Sequence, residues 1–449
     1  MLTAISPIDG RYSERTKVLS PFFSEFALIK YRVFVEVEYF VALAQLGVEQ
    51  LKGVTAAQLE QVRAIATNFT EEEAAEIKKI ERTTNHDVKA VEYFLRTKFE
   101  ALGLNQYVEF IHFGLTSQDI NNTAVPVSLK DAQNQVLMPM LEALTAQIKA
   151  LAESLFSLST LSYTHGQPAS PSSFGKEILV FVERLNQQIG EVKRVKHCGK
   201  FGGATGNFNA HYVAYPKVNW HQFGHSFLNT HLGIERSIHT TQIEHYDFMA
   251  AYCQAWSRVN TILIDFCRDI WTYISMDFFK QKTVAGEVGS SAMPHKVNPI
   301  DFENAEGNLG LANAILYHLA QKLPISRLQR DLTDSTVLRN LGVPFGHIVV
   351  SLESIKKGII KLVVNEQRIK DNLDNNWIIL AEAVQTILRR ENYPHPYETL
   401  RQLTRGKSQI SQTELFEFVD ALEIADSVKT ELRQLTPSTY IGRIENINA

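Results

Sequence analysis

The stretch that decides the fold, residues 246–280, reads YDFMAAYCQAWSRVNTILIDFCRDIWTYISMDFFK and contains neither proline nor glycine. Its apolar residues recur with helical spacing, which predicts one helix about 50 Å long. Such a helix needs neighbours along its whole length, and a helical bundle, within one subunit or shared between subunits, supplies them. Charged residues such as Arg258 and Asp265 make the stretch a poor membrane span.

Helical periodicity dominates the rest of the chain as well. Residues 26–46 form an apolar helix that Gly47 is expected to end, and Thr70 followed by Glu73 is typical of a capping box that opens the next helix. Strand patterns are scarce, and we find no internal repeat or low-complexity tract. Further helices are predicted at 87–101, 128–157, 173–197, 303–322 and 346–363.

The predicted helices become shorter after about residue 365, where prolines and glycines punctuate the sequence. We therefore predict an all-α subunit in three parts. Residues 1–105 would form an N-terminal helical domain, residues 106–360 a central bundle of long helices, and residues 361–449 a small C-terminal helical domain.

Composition limits the class of protein. The 449 residues are 45% hydrophobic and 21% charged, which is ordinary for a soluble globular protein. The net charge of −4 gives no global basic field, so we expect neither nucleic acid nor a membrane as a partner, and an anionic substrate would need a local cluster of cations. The N-terminus has no apolar run resembling a signal peptide, so we expect a cytoplasmic protein. The three cysteines are scattered and predict reduced, mostly buried thiols.

A polar segment at 282–299, KTVAGEVGSSAMPHKVNP, interrupts the helical pattern. Ser290 and Ser291 offer hydroxyl groups, and His295 and Lys296 offer cationic donors. The segment could be a surface connection, or a lid that brings a nucleophile or base onto a bound anion. A serine is a poor base unless a nearby cation or backbone donors favour its alkoxide, and Lys296 could provide that charge.

A second polar segment, SYTHGQPASPSS at 162–173, contains His165. A lone histidine is more often structural than catalytic, although hydrogen-bonding neighbours here could fix its tautomer. We expect a helix to begin after Pro171, with Ser172 or Ser173 as its cap.

Two further segments, TTNHDVK at 83–89 and GLTSQDINNT at 114–123, are dense in hydrogen-bonding side chains. His86 beside Asp87 could be an oriented acid–base pair, or both could simply cap a helix. The hydroxyl and amide groups of the second segment could bind carboxylate oxygens or equally cap a helix.

Three arginines lie in RLQRDLTDSTVLRN, which begins at Arg327. Arg330 and Arg339 could join it in binding an anion, or all three could form surface ion pairs with neighbours such as Asp331. The glycines at 199–207 do not indicate a phosphate-binding loop, because no strand precedes them and the Walker lysine is missing. No metal-ligand spacing is present, so we expect neither a metal nor another cofactor.

The segment GSSAMPHKVNP at 289–299 closely matches GSSxMPxKxNP, the signature of the fumarase/aspartase superfamily. GLTSQDINNT and YTHGQPASPSS resemble two other regions of that superfamily, the latter in the subgroup of lyases that uses a histidine. Within that subgroup the chain resembles the adenylosuccinate lyases, in their longer bacterial form, over nearly its whole length. The segments that carry this resemblance are SPIDGRY at 6–12, TTNHDVKAVEYF at 83–94 and RDLTDSTVLRN at 330–340.

This resemblance implies a mostly helical, three-domain subunit whose central helices pack into the shared core of a homotetramer, with each active site built from three subunits. It also implies a small-molecule nucleotide substrate and β-elimination of fumarate, from adenylosuccinate to give AMP and from the succinylated aminoimidazole carboxamide ribotide. Alternatives are a sister lyase with the same signature, such as argininosuccinate lyase or a cycloisomerase, and a non-catalytic helical assembly protein.

The resemblance also assigns roles to residues. Ser290 would be the base and His165 the acid, while Lys296 and Asn298 would stabilise the carbanion. His86 would line the base and ribose side of the site and could support His165. The residues expected to bind substrate are Arg11, Tyr12, Asn85, His86, Asp87, Thr116, Ser117, Gln242, Ser291, Lys296, Asn298, Asn304, Arg330, Ser335, Thr336 and Arg339.

Overall fold

A computed structural model describes residues 2–282, 293, 296–407 and 409–445. It is mainly helical, which confirms the predicted all-α class. In the described part of the chain the α-helices, in order, are α1 Ser13–Thr16, α2 Ser20–Phe23, α3 Glu25–Leu46, α4 Ala56–Thr67, α5 Glu71–Thr84, α6 Asp87–Ala101, α7 Ser117–Ala132, α8 Met138–Ser154, α9 Phe174–Arg194, α10 Asn209–Ala214, α11 Trp220–Ser226, α12 Asp247–Ser275, α13 Ile300–Lys322, α14 Thr333–Leu338, α15 Gly342–Lys361, α16 Glu366–Asp374, α17 Ala381–Arg390, α18 Pro396–Thr404, α19 Gln412–Asp420 and α20 Asp426–Arg433.

Shorter elements connect these helices. The 3₁₀ segments are Lys17–Leu19, Glu49–Leu51, Asn105–Phe110 and Trp377–Leu380, and the π-helical segments are Gln133–Leu137 and Phe227–Leu232. The strands described form three two-stranded pairs: β1 Ser159–Thr164 with β2 Gln167–Ser173, β3 Cys198–Gly199 with β4 Glu235–Arg236, and β5 Phe279–Gln281 with β6 Leu362–Val364. The β3–β4 pair is parallel and the other two are antiparallel.

The expected helix ends in the first hundred residues are confirmed. Gly47 follows α3 in the left-handed conformation, with φ +78°, which glycine adopts without steric cost. Thr70 opens α5 with a reciprocal capping box in which Glu73 is the partner. These features depend on residues close in the chain, which is why the sequence predicts them well.

Helix α12 is shorter than predicted. It runs for 29 residues and ends at Ser275, so the expected extension to 280 was wrong. Asp277 adopts a left-handed φ of +62°, and the Phe278 N–H donates to the Tyr273 carbonyl at 2.9 Å. These bonds close the last turn of the helix and direct the following residues into strand β5.

The helix predicted at 128–157 begins earlier than expected. Helix α7 begins at Ser117, and a π-helical segment joins it to α8, which ends at Ser154. Thr116 precedes the first turn, and its backbone N–H donates to the Asp119 carboxylate at 2.8 Å. The second half of GLTSQDINNT is therefore the start of a helix, because its polar residues satisfy the backbone donors that a helix leaves free.

His165 lies in a β-hairpin that the sequence did not predict. Thr164 pairs with Gln167, so His165 and Gly166 form the turn, with φ of +53° and +72°. Two positive φ values suit the right-handed twist of a tight hairpin. The cap prediction beyond the hairpin is confirmed, because the Ser173 hydroxyl accepts a hydrogen bond from the Lys176 N–H at 3.2 Å.

The chain divides into two compact units. Unit 1 comprises Met1–Leu141, Gln188–Thr261 and Gly307–Leu352, and unit 2 comprises Glu142–Gln187, Ile262–Glu306 and Glu353–Ala449. In unit 1, apolar residues of α3, α6 and α7 form one core with the aromatic rings that follow residue 200. In unit 2, a separate core joins Leu161 of β1 to the short helices after Leu373. The three-domain division along the sequence stays a prediction.

Two further observations concern the class of protein. Cys198, Cys253 and Cys267 are all buried and free, as expected, and burial raises the pKa of Cys253 to about 12. Among the described residues, no helix is both long enough and apolar enough to cross a membrane.

Candidate active site

The N-terminus of α7 is fixed by Asp119, which is completely buried. Its carboxylate accepts hydrogen bonds from the backbone N–H groups of Thr116 and Gly202, each at 2.8 Å, and pairs with the Lys200 ammonium at 2.8 Å. Lys200 is also fully buried; burial lowers its pKa, and the Asp119 carboxylate opposes that change. This network sets the backbone position of Thr116 and Ser117, the residues predicted to bind the succinyl carboxylates.

The glycine-rich segment 199–207 encloses Asp119. Gly203 has a φ of +79°, and its N–H also reaches the Asp119 carboxylate at 3.1 Å. A side chain on Gly202 would place a Cβ only 2.6 Å from the Gly206 carbonyl oxygen, so the segment needs glycine there. The Gln242 amide donates to the Ala204 carbonyl at 3.4 Å, which places this predicted substrate-binding residue beside the same segment.

A second polar cluster in unit 1 joins α3, α6, α7 and Arg339, which follows α14. Arg32 is only 3% exposed and donates to Asp87 at 2.6 Å and to Asn121 at 2.8 Å. Arg339 approaches the same Asp87 oxygen at 3.5 Å. Burial favours a higher pKa for Asp87, but Arg32, the Val88 N–H and Arg339 together hold the pKa below its ordinary value. Asp87 is therefore an ionised carboxylate shared by two arginines.

Arg32 was missed by the sequence interpretation, which treated residues 26–46 as an apolar helix. The available signal was a charged residue inside an apolar segment, since such residues are rarely buried unless they are paired. Its partners lie 55 and 89 positions away in the chain, so no local pattern could identify them.

His86 caps α6. Its Nδ1 accepts a hydrogen bond from the Lys89 N–H at 3.1 Å and lies 4.0 Å from the Asp87 carboxylate. In the neutral ring this arrangement places the proton on Nε2. The capping alternative for His86 is thus observed, and about half of its side chain, 53%, is exposed.

The arginine-rich segment beyond residue 326 is ordered by local bonds. Arg330 donates to the Ser335 hydroxyl at 2.9 Å, while Arg327 pairs with Asp331 at 3.2 Å and is 79% exposed. Of the two alternatives for Arg327, anion binding and a surface ion pair, the structure shows the surface ion pair.

Helix α14 is tied to α7 through buried polar groups. The Asn122 amide donates to the Tyr246 hydroxyl at 2.6 Å, and that hydroxyl donates to Asp334 at 3.1 Å. Asp334 in turn accepts from the Ser335 N–H at 2.7 Å. Neither Asn122 nor Tyr246 was predicted to matter; both position a predicted binding residue from within the core.

A cavity of about 130 Å³ lies within unit 1 between these groups. Of the predicted substrate-binding residues, Asp87, Ser335 and Arg339 line it, together with Gln118, a polar residue of GLTSQDINNT, and Arg32, which was not predicted. The cavity lining thus holds two arginines that pair with two carboxylates, Asp87 and Glu25, together with hydroxyl, amide and apolar side chains.

The other predicted binding residues of unit 1 are placed as follows. Arg11 is exposed, and Tyr12 immediately precedes α1. Asn85 ends α5 in the left-handed conformation, with φ +50°. Thr336 is exposed within α14.

His165, which is predicted to transfer a proton, and the predicted binding residues Lys296, Asn298 and Asn304 belong to unit 2. His165 is exposed at its hairpin turn, and the hairpin is held by hydrogen bonds such as Tyr163 hydroxyl to Asn372 at 2.9 Å. Lys296 is exposed, and the Ser354 hydroxyl donates to Asn304 at 3.0 Å. Asn298 is half-buried. Ser290 and Ser291 lie outside the described residues.

Comparison with known proteins shows both the enzyme class and the family of this chain. A model of a lyase family matches residues 10–314, so the chain is an enzyme of the lyase class. A model of the adenylosuccinate lyase C-terminal region matches residues 326–441. Adenylosuccinate lyase from Dictyostelium discoideum is 55% identical over 99% of this chain and 97% of its own length. The enzyme of the same name from Escherichia coli is 51% identical over 98% and 97%. The chain belongs to the adenylosuccinate lyase family.

The fold comparison agrees. 3-Carboxy-cis,cis-muconate lactonizing enzyme from Pseudomonas putida superposes with a TM-score of 0.75, over 95% of this chain and 94% of its own, at 20% identity. This likeness shows the fold alone. The predicted family and enzyme class are confirmed, and the alternatives of a sister lyase and of a non-catalytic assembly protein are not favoured.

Proposed function

We propose that the chain eliminates fumarate from adenylosuccinate, giving AMP, and from the succinylated aminoimidazole carboxamide ribotide in purine biosynthesis. The observation that carries the proposal is in unit 1, where a rigid helix N-terminus for carboxylates lies in the same unit as a cavity lined by arginines. In a chain of net charge −4, Arg330 and Arg339 of this unit would be the local cations for an anionic substrate.

The dominant chemical need is to stabilise added negative charge, because the proton beside the succinyl carboxylate is only weakly acidic. Thr116 and Ser117 would bind the succinyl carboxylates at the start of the 16-residue helix α7, where free N–H groups and the helix dipole favour anions. Lys296 and Asn298 would stabilise the aci-carboxylate. Preorganised donors of this kind contribute about 3–4 kcal/mol each.

Two proton transfers complete the reaction. Ser290 would accept the proton from the succinyl carbon, leaving the electron pair delocalised into the adjacent carboxylate. That pair would then form the carbon–carbon double bond of fumarate as the C–N bond breaks. His165 would give a proton to the departing nitrogen, and each positioned transfer typically contributes about 10²–10⁴-fold.

The nucleotide would occupy the arginine-lined part of unit 1. Arg330, Ser335 and Arg339 would hold its phosphate, since guanidinium groups bind phosphate oxygens in pairs. Asp87 would face the ribose and base, held by Arg32. Asn85 and His86 would line the same side.

We further propose a cytoplasmic homotetramer with shared active sites. Most of the predicted binding residues belong to unit 1, whereas His165, Lys296, Asn298 and Asn304 belong to unit 2, and contributions from several copies of the chain would complete each site.

The direct test is fumarate release from adenylosuccinate, followed by ultraviolet absorbance. The wild-type enzyme should release fumarate, whereas Ser290→Ala should fold and bind substrate but lose at least about 10³-fold in turnover, because a proton-transfer group is lost. Ser408→Ala, a serine of the C-terminal part, serves as the matched control and should retain wild-type turnover. Turnover of Ser290→Ala within tenfold of wild type would contradict the role of Ser290, and absence of fumarate from the wild type would contradict the proposed function.

A further inference from the structure

Gln118 is a buried amide without a partner. Its side chain belongs to a residue that is 1% exposed, and neither Oε1 nor Nε2 has a hydrogen-bond partner among the described residues. A buried polar group normally finds one, and leaving it unpaired costs free energy. Both atoms are therefore available for hydrogen bonds with a bound ligand.

The position of Gln118 indicates where that group binds. On α7, Gln118, Asn121, Val125 and Ser128 follow one another at helical spacing, and all line the unit 1 cavity. The same cavity is lined by Asp87. Gln118 is therefore on the cavity face of the helix.

We propose that Gln118 is a further substrate-binding residue, and that it recognises the base at the nitrogen that carries the succinyl group. The inference rests on the proposed function. Its chain neighbour Ser117 would bind a succinyl carboxylate and Asp87 would face the ribose and base, so the linking nitrogen falls between them.

The chemistry of a primary amide suits this position. The bases of both proposed substrates offer the N–H of the linking nitrogen and a nearby acceptor, which is a ring nitrogen in one and a carboxamide oxygen in the other. In adenylosuccinate, Gln118 Oε1 would accept from the N–H and Nε2 would donate to the ring nitrogen, in the way that amide side chains pair with an adenine edge. In the carboxamide substrate the N–H and the oxygen of a trans amide point to opposite sides, so Gln118 would bind one of these two groups.

The test is Gln118→Met, which keeps the length of the side chain and removes both polar atoms. In the free enzyme the substitution should raise the melting temperature, because an unpaired buried amide is removed. With substrate it should raise the KM for adenylosuccinate and the inhibition constant of AMP at least about fivefold, because the bound group loses its partner. The inhibition constant of fumarate should stay within twofold of wild type.

Gln133→Met is the matched control. Gln133 is also buried, and its Oε1 has no partner among the described residues, but it does not line the cavity. Its KM should match that of wild type. If Gln118→Met does not fold, Gln118→Asn retracts the amide by one methylene and should give the same increase in KM.

The outcomes separate the two proposals. A folded Gln118 variant with wild-type KM and AMP inhibition, in an enzyme whose wild type releases fumarate, overturns the inference and leaves the proposed function intact. A lower melting temperature with unchanged KM would likewise overturn it, since the amide would then have a structural partner such as buried water. A wild type that releases no fumarate overturns the proposed function itself.

Discussion

Arg32 connects three helices through two hydrogen bonds. Its guanidinium lies on α3 and donates to Asp87 at the start of α6 and to Asn121 in the second turn of α7. Because Arg32 is almost fully buried, its charge is compensated by Asp87 rather than by water. The orientation of Asp87, and with it the approach of Arg339, therefore depends on a residue placed behind the cavity wall.

Arg32→Met should weaken both folding and substrate binding. Removing one partner of a buried ion pair leaves the other uncompensated, which costs about 3–5 kcal/mol where both groups are buried, and we expect about 3 kcal/mol here because Asp87 is partly exposed. The pKa of Asp87 should rise, since Arg32 contributes to lowering it. Urea unfolding and the KM for adenylosuccinate measure the two effects, and KM should rise about tenfold or more, because an interaction of at least 1.4 kcal/mol is lost.

Lys52→Met provides the comparison for Arg32→Met. Lys52 pairs with Glu49 at 2.5 Å on the surface, with 61% of its side chain exposed. Such pairs contribute little to stability, so this variant should match wild type in both measurements. An Arg32→Met enzyme that is equally unaffected would show that Asp87 needs no positioning partner.

At the scale of residues, the sequence predicted those binding residues that lie within family motifs. Asp87, Ser335 and Arg339 were predicted as binding residues and do line one cavity. Arg32 was not, because its role follows from burial and from partners distant in the chain. Gln118 was noticed only as one polar residue of several, since a sequence cannot show that an amide is left without a partner.

At the scale of elements, helix α7 and the glycine-rich segment 199–207 are held together by Asp119. The segment donates two backbone N–H groups and one ammonium to Asp119. The same carboxylate accepts a hydrogen bond from the Thr116 N–H, which fixes the first turn of the helix. A segment that resembles no phosphate-binding loop nevertheless shapes a predicted anion site, from behind the helix.

Lys200→Met should weaken the attachment of segment 199–207 to α7. With Lys200 removed, the buried Asp119 carboxylate loses the ammonium that pairs with it, which costs about 3–5 kcal/mol of unfolding free energy. Adding Asp119→Asn should recover part of the loss, because the buried carboxylate charge is removed while the amide keeps one of the two oxygens that accept backbone N–H groups. Urea denaturation of the single and double variants measures the coupling.

Lys196→Met is the control for Lys200→Met, because Lys196 forms an exposed pair with Glu235 only a few residues earlier. It should lose little stability. If the Lys200 variant behaved the same way, the buried pair would not be what holds the segment to α7.

Element boundaries show where local patterns are sufficient. Gly47 and the Thr70 capping box ended and opened helices as predicted, because each acts within a few residues. The end of α12 at Ser275 and the hairpin around His165 were not predicted. Both depend on partners far along the chain, since β5 pairs with β6 and the hairpin is bonded to α16.

At the scale of the whole molecule, the predicted site residues fall into two groups. Those that would bind the nucleotide, with Thr116 and Ser117, belong to unit 1, whereas His165, Lys296, Asn298 and Asn304 belong to unit 2. The sequence predicted all of these roles through family resemblance, but it could not place the groups in space. Assembly of several chains is the proposed means of completing each site.

Mixing inactive chains tests this assembly. Hybrid tetramers made from His165→Ala and Ser290→Ala chains should recover activity well above either parent, because some sites would then receive both intact residues from different subunits. Fumarate release after denaturation and joint refolding is the measurement. Mixing Ser290→Ala with Lys296→Ala, two changes in the same segment, should restore none. Verified hybrids with no recovery in the first mixture would argue against shared sites.

The hydrogen bond between Asp119 and Gly203 affects the nascent chain during translation. The two residues are 84 positions apart, so Asp119 leaves the ribosome well before its partners exist. At about 5–20 residues per second, the delay is about 4–17 s. During that interval the carboxylate that will be fully enclosed is still open to water, and Thr116 and Ser117 lack their final geometry. The pace of translation across this part of the message therefore sets how long each new subunit waits before its anion-binding end can form.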